Sequence, residues 1–259
     1  TPSNSSAASD VYKRQHLHYQ IGQAKLLTDI NLTVPTGARF GIIGPNGSGK
    51  TTLLRHMYGE LPAGDAVRFD GRPIGDYPAR ELARKLAVLT QFATDTEGQL
   101  SVEQSVLMGR YPHTDRFLGY RRQDYDIARH HMEITGTLPL APRELGTLSG
   151  GERQRVQIAR AGTQEPNSII LDEPTNHLDV RFKVELMQLL QDFPGTIVMT
   201  LHDLELAYRY CDHVAVLVGG RLVACGAPQE IMTENLLTDV FGVPFRIVEW
   251  DGEHYPVLA

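Results

Sequence analysis

Apolar residues recur along this chain in short β-branched runs separated by longer stretches with helical spacing. Over residues 26–34, Leu27, Ile30, Leu32 and Val34 alternate loosely with Thr, Asp and Asn, the pattern of a half-buried strand that stops at Pro35-Thr36-Gly37. Residues 39–43 form a short apolar strand. It runs into Gly44-Pro45-Asn46-Gly47-Ser48-Gly49, too rich in glycine for helix or strand, and then into a helix-compatible stretch over 50–58. Asp70-Gly71 predicts a tight turn, residues 79–85 a helix and 86–90 a strand. The region 102–161 is mainly helical in pattern and is interrupted by Pro112, Pro139 and Pro142. Beyond it, the apolar runs 168–171, 196–201 and 214–218 alternate with helical stretches over 180–191 and 204–211. This alternation predicts an α/β fold with a largely parallel sheet covered by helices. A helical insert over about 92–160 interrupts it, so two lobes are expected, and Asp251-Gly252 predicts a closing hairpin.

Composition narrows the class without naming a function. At 259 residues with 41% hydrophobic and 22% charged residues, the chain has ordinary globular composition. Its formal charge of −6 gives no reason to expect a nucleic-acid partner. Cys211 and Cys225 lack metal or redox spacing and are expected to be buried, reduced thiols. The apolar runs fall far short of the ~18 residues of a membrane-spanning helix, so any membrane role must use a partner's span. Thr1 stands where a start methionine would, and residues 1–15 are mostly small, polar and aperiodic, without the order of a signal peptide. Residues 5–15 resemble translated adaptor read-through. Residues 1–15 are therefore expected to be a non-native leader outside the fold, with one domain over 16–259 and a missing edge strand ahead of Tyr19.

Three constellations carry chemistry. Gly44-Pro45-Asn46-Gly47-Ser48-Gly49-Lys50-Thr51 matches the phosphate-loop pattern G-x-x-x-x-G-K-[ST] in a strand-to-helix context, with Thr52 following. Its glycines let the backbone wrap a phosphate, so that N–H groups and a helix N-terminus face the anion. Lys50 would reach the β- and γ-phosphates, and the Thr51 hydroxyl would ligate Mg²⁺. Next, Ile169-Ile170-Leu171 delivers Asp172 and Glu173 at the C-terminal end of a strand, where open α/β sheets bind ligands. Asp172 suits a magnesium shell, and Glu173 can accept a proton from an attacking water. Finally, Leu148-Ser149-Gly150-Gly151-Glu152-Arg153-Gln154 places a serine and two glycines ahead of a long helix, a second anion-binding helix N-terminus. One nucleotide does not need two such cradles from one subunit.

That heptapeptide resembles the signature motif of the ATP-binding-cassette ATPases, and the phosphate loop, Gln91, Asp172-Glu173, Leu178-Asp179 and His202 follow in that family's order. The resemblance implies a P-loop NTPase (RecA-like) core with a mainly parallel sheet, an N-terminal antiparallel β subdomain and an inserted α-helical subdomain. It further implies ATP and Mg²⁺ as ligands, and two copies paired head to tail, with Ser149, Gly150, Gly151 and Glu152 of one facing the triphosphate held by the other's Lys50. Gln91 looks like the glutamine that senses magnesium and the γ-phosphate, and His202 like the switch histidine. Asp179 corresponds to the aspartate at the dimer interface. Tyr19 resembles the aromatic residue on which adenine stacks. The family usually has a helix-favouring pair where this chain has Gly162-Thr163, and a glycine inside a helix costs about 0.8–1 kcal/mol against alanine, so the far end of that helix is expected to be weakened. His16 and His18 could share a strand face, and His130-His131 lie on a helix. Neither pair has an evident third metal ligand.

Gly109-Arg110-Tyr111-Pro112-His113 resembles a segment of the cassettes that energise uptake of ferric siderophores, cobalamin or haem, and Phe241-Gly242-Val243-Pro244 is also similar to that subfamily. The resemblance implies an importer ATPase whose two membrane permease subunits dock on the helical lobe near Gln91 to Tyr120, with a substrate-binding protein selecting the cargo. It places the chain on the cytoplasmic face of the membrane. A soluble cassette ATPase acting on ribosomes or DNA is the alternative, against which stand the single cassette and the lack of a long coiled-coil insertion. A P-loop kinase or GTPase would have no use for Ser149 to Gln154.

Overall fold

The computed structural model describes residues 10–90, 98–115, 119–176, 178–250 and 252–259. Two compact units emerge, one built from the described residues up to Tyr77 together with Thr200–Ala259, the other from Pro78–Met199.

The first unit opens with β1 (Asp10–Ile21) antiparallel to β2 (Ala24–Pro35), followed by β3 (Arg39–Ile43), α1 (Lys50–Met57), β4 (Val67–Phe69) and β5 (Arg72–Pro73). An antiparallel sheet in the order β2-β1-β4-β5 results, its last pair joined by a turn in which Asp70 and Gly71 take φ of 46° and 77°. Residues 10–15, expected to lie outside the fold, form the start of β1. Tyr12 pairs with Val34 on one side and Phe69 on the other, is fully buried, and sets its ring 5.0 Å from that of Phe69. Residues from Asp10 onward thus belong to the fold, because Val11 and Tyr12 fill a core that the polar residues around them conceal in sequence.

In the second unit come α2 (Ala79–Lys85), β6 (Leu86–Leu89), α3 (Val102–Leu107), α4 (Arg122–Ile134), α5 (Gly150–Thr163), β7 (Ser168–Leu171), α6 (Val180–Gln191) and β8 (Thr196–Thr200). The strands β6, β7 and β8 run parallel, and β7 and β8 are buried along their whole length, as continuous apolar runs require. Helices α3, α4 and α5 share a core that includes Val102, Val106, Ala128, Met132, Val156 and Ala159. This unit is wider than the predicted insert over 92–160. Asn167 N–H donates to Lys85 O at 2.9 Å and the Gln164 amide to Leu86 O at 2.8 Å, which ties the end of α5 to the parallel strands.

The chain returns to the first unit through α7 (Leu204–Tyr210), β9 (His213–Val218), β10 (Arg221–Gly226), α8 (Pro228–Ile231), α9 (Glu234–Phe241), β11 (Phe245–Trp250) and β12 (Glu253–Leu258). Parallel pairing joins β9 to the fully buried β3, while β10 and the β11–β12 hairpin are antiparallel. Cys211 is buried with its Sγ against Gly41, and burial pushes its thiol pKa up. Cys225 departs from expectation: it is exposed on β10, whose alternating pattern presents every second residue to solvent.

The segment carrying Arg110 is riveted to the end of α5. Arg110 Nε donates to Asp124 Oδ1 at 2.9 Å, and its Nη1 to Thr163 O at 3.0 Å and Glu165 Oε2 at 2.6 Å, while His113 Nε2 lies 2.9 Å from Gln164 O. A Cβ on Gly109 would collide with Arg160 O. Gly162 also finds its reason, since a Cβ there would sit 2.5 Å from His131 Nδ1. The glycine is the floor on which the imidazole rests, and α5 continues through it to Thr163.

Burial pushes the Asp124 carboxyl up, but the Arg121 N–H and the Arg110 guanidinium outweigh it and hold its pKa below the ordinary range. Its ionised form therefore contributes stability above the unfolded pKa of about 4, a contribution lost as pH falls through the lower folded value. Arg110→Ala should lower stability by about 3 kcal/mol in urea unfolding, because it leaves a buried carboxylate without its counter-charge. Asp124→Asn should flatten the loss of stability in that acid window; a slope unchanged from the parent would remove Asp124 from this account.

Candidate functional site

The phosphate loop is shaped by backbone approaches that only glycine allows. Gly44, Gly47 and Gly49 take φ of 148°, 76° and 100°. A side chain at Gly44 would run into Leu217 O, and at Gly49 it would lie 2.9 Å from Leu26 O. Gly220 N–H donates to Ser48 O at 3.0 Å, so β2 and the β9–β10 turn brace the loop from outside. Inside it, the buried Lys50 Nζ donates to Gly44 O at 2.9 Å and Pro45 O at 3.2 Å. Thr51, in the first turn of α1, is exposed, and Thr52 is half-buried. The loop is thus a ring of backbone around an ammonium group, the arrangement that receives phosphate oxygens.

His202 belongs to the same unit. Leu201 N–H donates to Ile42 O at 3.1 Å, which sets the exposed His202 beside the strand that feeds the phosphate loop, and Asp203 caps α7. Tyr19 faces Leu27 across the β1–β2 ladder, and both line a depression of about 250 Å³ with His18, Gln20, Lys25 and Thr28. Leu27 Cδ2 in turn lies 3.0 Å from the Cβ position of Gly49. One residue therefore links the tyrosine's surroundings to the loop.

In the second unit Asp172 N–H donates to Leu89 O at 2.9 Å, extending the β6–β7 pairing by one residue. Glu173, half-buried, has φ of 51°, a left-handed conformation rare for a residue with a side chain. The Asn176 amide donates to Glu173 Oε2, and Asn176 N–H to Glu173 O at 3.2 Å. Asn176 was missed in sequence; its one signal is a carboxamide three residues after a carboxylate, the spacing of a tight turn.

Ser149 opens α5 with a reciprocal cap: its Oγ accepts from Glu152 N–H at 3.3 Å, and Glu152 Oε2 accepts from Ser149 N–H at 2.8 Å. The Ser149 N–H and hydroxyl hold the Glu152 carboxyl below its usual pKa range. Ser149 and Gly150 face solvent, whereas Gly151 is buried 3.1 Å, at its Cβ position, from the Phe182 ring. Phe182 carries the Arg155 guanidinium on its face at 4.9 Å and donates its N–H to Asp179 Oδ1 at 2.9 Å. So the start of α5 and the Asp179 cap of α6 are locked through one aromatic ring. Gln91 lies outside the described residues.

His16 and His18 converge on Asp29, with His16 Nδ1 2.7 Å from its Oδ1, but no group of three metal-ligating side chains occurs among the described residues.

Residues 27–176 match the family model described as ABC transporter. The chain belongs to this family. It is 40% identical to the ferric enterobactin transport ATP-binding protein FepC of Escherichia coli (strain K12), over 88% of this chain and 87% of the relative. Identity to the hemin import ATP-binding protein HmuV of Pseudomonas entomophila (strain L48) is 38%, over 93% and 96%. Among solved structures, a chain of an inward-facing ABC transporter, provisionally described as metal-chelate type, superposes with a TM-score of 0.83 at 25% identity, covering 96% of both chains. This ABC chain is accordingly an ATP-binding transport subunit and an ATPase. No described helix is long and apolar enough to cross a membrane.

The two kinds of glycine in the loop of this ABC chain predict different outcomes. Gly44→Ala should weaken binding of a fluorescent ATP analogue by roughly tenfold or more, because the loop must move away from Leu217 O. Gly47→Ala meets open space and bears only backbone strain, so its loss should be smaller. Equal losses would show that the backbone approach at Gly44 is not what shapes the loop.

Proposed function

We propose that this chain energises an importer for ferric siderophores or haem, working with two membrane permease subunits on the cytoplasmic face of the membrane and with a substrate-binding protein. The siderophore and haem names of the relatives above support these two cargoes over cobalamin. The observation that carries the nucleotide chemistry is the presence in one chain of a glycine ring around Lys50 and of a second helix N-terminus, Ser149-Gly150, turned to solvent. In this reading two copies associate head to tail, and Ser149, Gly150 and Gly151 of one receive the γ-phosphate held by Lys50 of the other.

Each residue then has a task. Lys50 and the loop N–H groups bind the β- and γ-phosphates, and Thr51, Asp172 and Gln91 hold Mg²⁺. Magnesium, when bound, neutralises charge on the phosphate oxygens. Glu173 accepts the proton of the attacking water, its carboxylate oriented by the Asn176 amide. His202 senses the γ-phosphate, Asp179 meets the other copy, and Tyr19 stacks on adenine. ATP binding closes the pair and hydrolysis reopens it, which shifts the permease between access states.

The permease docks at a cavity of about 730 Å³ within the second unit, lined by Arg80, Ala83, Tyr111, Pro112, Asp115 and Tyr120. Tyr111 is 74% exposed at its rim, a large aromatic that a partner helix would cover. The Arg80 and Arg84 guanidinium groups both donate to Pro112 O, at 2.9 and 2.8 Å, which fixes that rim.

Glu173→Gln should reduce ATP turnover by about 100-fold or more while ATP binding persists, and light scattering should show an ATP-dependent dimer. Turnover near the parent value would exclude Glu173 as the base, and a monomer at saturating ATP would exclude the shared site. In vesicles carrying the permease, binding protein loaded with a ferric siderophore or haem should stimulate hydrolysis; stimulation by neither would remove the cargo assignment.

A further inference from the structure

The ring of Tyr19 does not stand alone on its strand. His56, on α1 six residues after Lys50, is completely buried, and its imidazole meets the Tyr19 ring edge to face, with centroids 4.6 Å apart and planes at 76°. Perpendicular aromatic contacts of this kind are directional, because the positive edge of one ring meets the negative face of the other. Tyr19 is itself only half-buried and lies where the β1–β2 register shifts on either side of it, so the ladder alone holds its backbone loosely. The buried neighbour on α1 restricts where the ring can turn. Since α1 is also the helix whose first residues are Lys50 and Thr51, one short rigid element carries the phosphate-binding groups at its start and the support of the tyrosine near its end.

We propose that His56 is a positioning residue for nucleotide binding: its imidazole holds the Tyr19 ring at a fixed angle and distance from the phosphate loop, so that base and triphosphate are received together. This rests on the reading of Tyr19 as the adenine platform. The imidazole itself touches no part of the nucleotide. Its effect is on the affinity for a molecule bearing both base and phosphates, without effect on the hydrolytic step.

The test is calorimetric binding of ATP, ADP and inorganic tripolyphosphate to the full chain, with ATP turnover measured alongside. Tyr19→Ala should weaken ATP and ADP and leave tripolyphosphate unchanged; if ATP binding is unaffected, the adenine reading of Tyr19 falls, and that result is separate from any result at His56. His56→Ala should weaken ATP and ADP by about three- to tenfold, the scale of one lost edge-to-face contact. Tripolyphosphate affinity and turnover at saturating ATP should stay at the parent values. His56→Phe, which keeps an aromatic ring at this buried position, should restore nucleotide affinity. In the Tyr19→Ala background, His56→Ala should bring no further loss. The proposal is overturned if His56→Ala weakens tripolyphosphate as much as ATP, which would mean a distorted loop, if His56→Phe fails to restore affinity, or if the two substitutions add.

Discussion

The close approach of backbone to backbone around the phosphate loop is the constraint on which the rest of this structure depends. Gly44 lies against Leu217 O and Gly49 against Leu26 O, so the backbones of strands β9 and β2 come right up to the loop. Three positive φ values close the ring, and Lys50 fills it. A loop of this kind has no hydrophobic core of its own; its shape is borrowed from the sheets that flank it, which is why an eight-residue phosphate pattern needs a whole α/β unit to work.

The second unit solves a different problem. Its exposed Ser149-Gly150 N-terminus must be stiff without being covered, and the stiffness comes from below. The reciprocal Ser149–Glu152 cap, the Gly151–Phe182 contact and the Asp179 cap of α6 form one connected set, and at the other end of α5 the buried Arg110 joins Asp124, Thr163 and Glu165. The helix is thus gripped at both ends. Tyr111, adjacent to Arg110, is held on the same helical framework that carries Ser149 and Gly150.

Much of this was legible in the sequence. Strands such as 39–43 and 168–171 and the helix 180–191 appear where apolar runs and helical spacing put them, because each is buried or amphipathic in a regular way. The phosphate loop and Ser149 cap were readable because glycine and serine are required there by backbone geometry. What escaped were contacts between segments distant in sequence. Tyr12 looked like part of a polar tail until Phe69 and Val34 closed over it, and Cys225 looked like a core thiol until β10 proved to alternate. Asn176 and His56 carry no motif; each has meaning only beside Glu173 or Tyr19.

Gly162 has the widest consequence for reading related chains. In isolation it is a poor helix residue, yet the imidazole of His131, as it stands, occupies the place of a Cβ at 162. Positions 131 and 162 therefore form a single steric unit shared by α4 and α5. A chain with a larger residue at the second position keeps the same helix spacing either by turning the imidazole away or by carrying a smaller residue at the first, so what stands at one site bears on what the other tolerates.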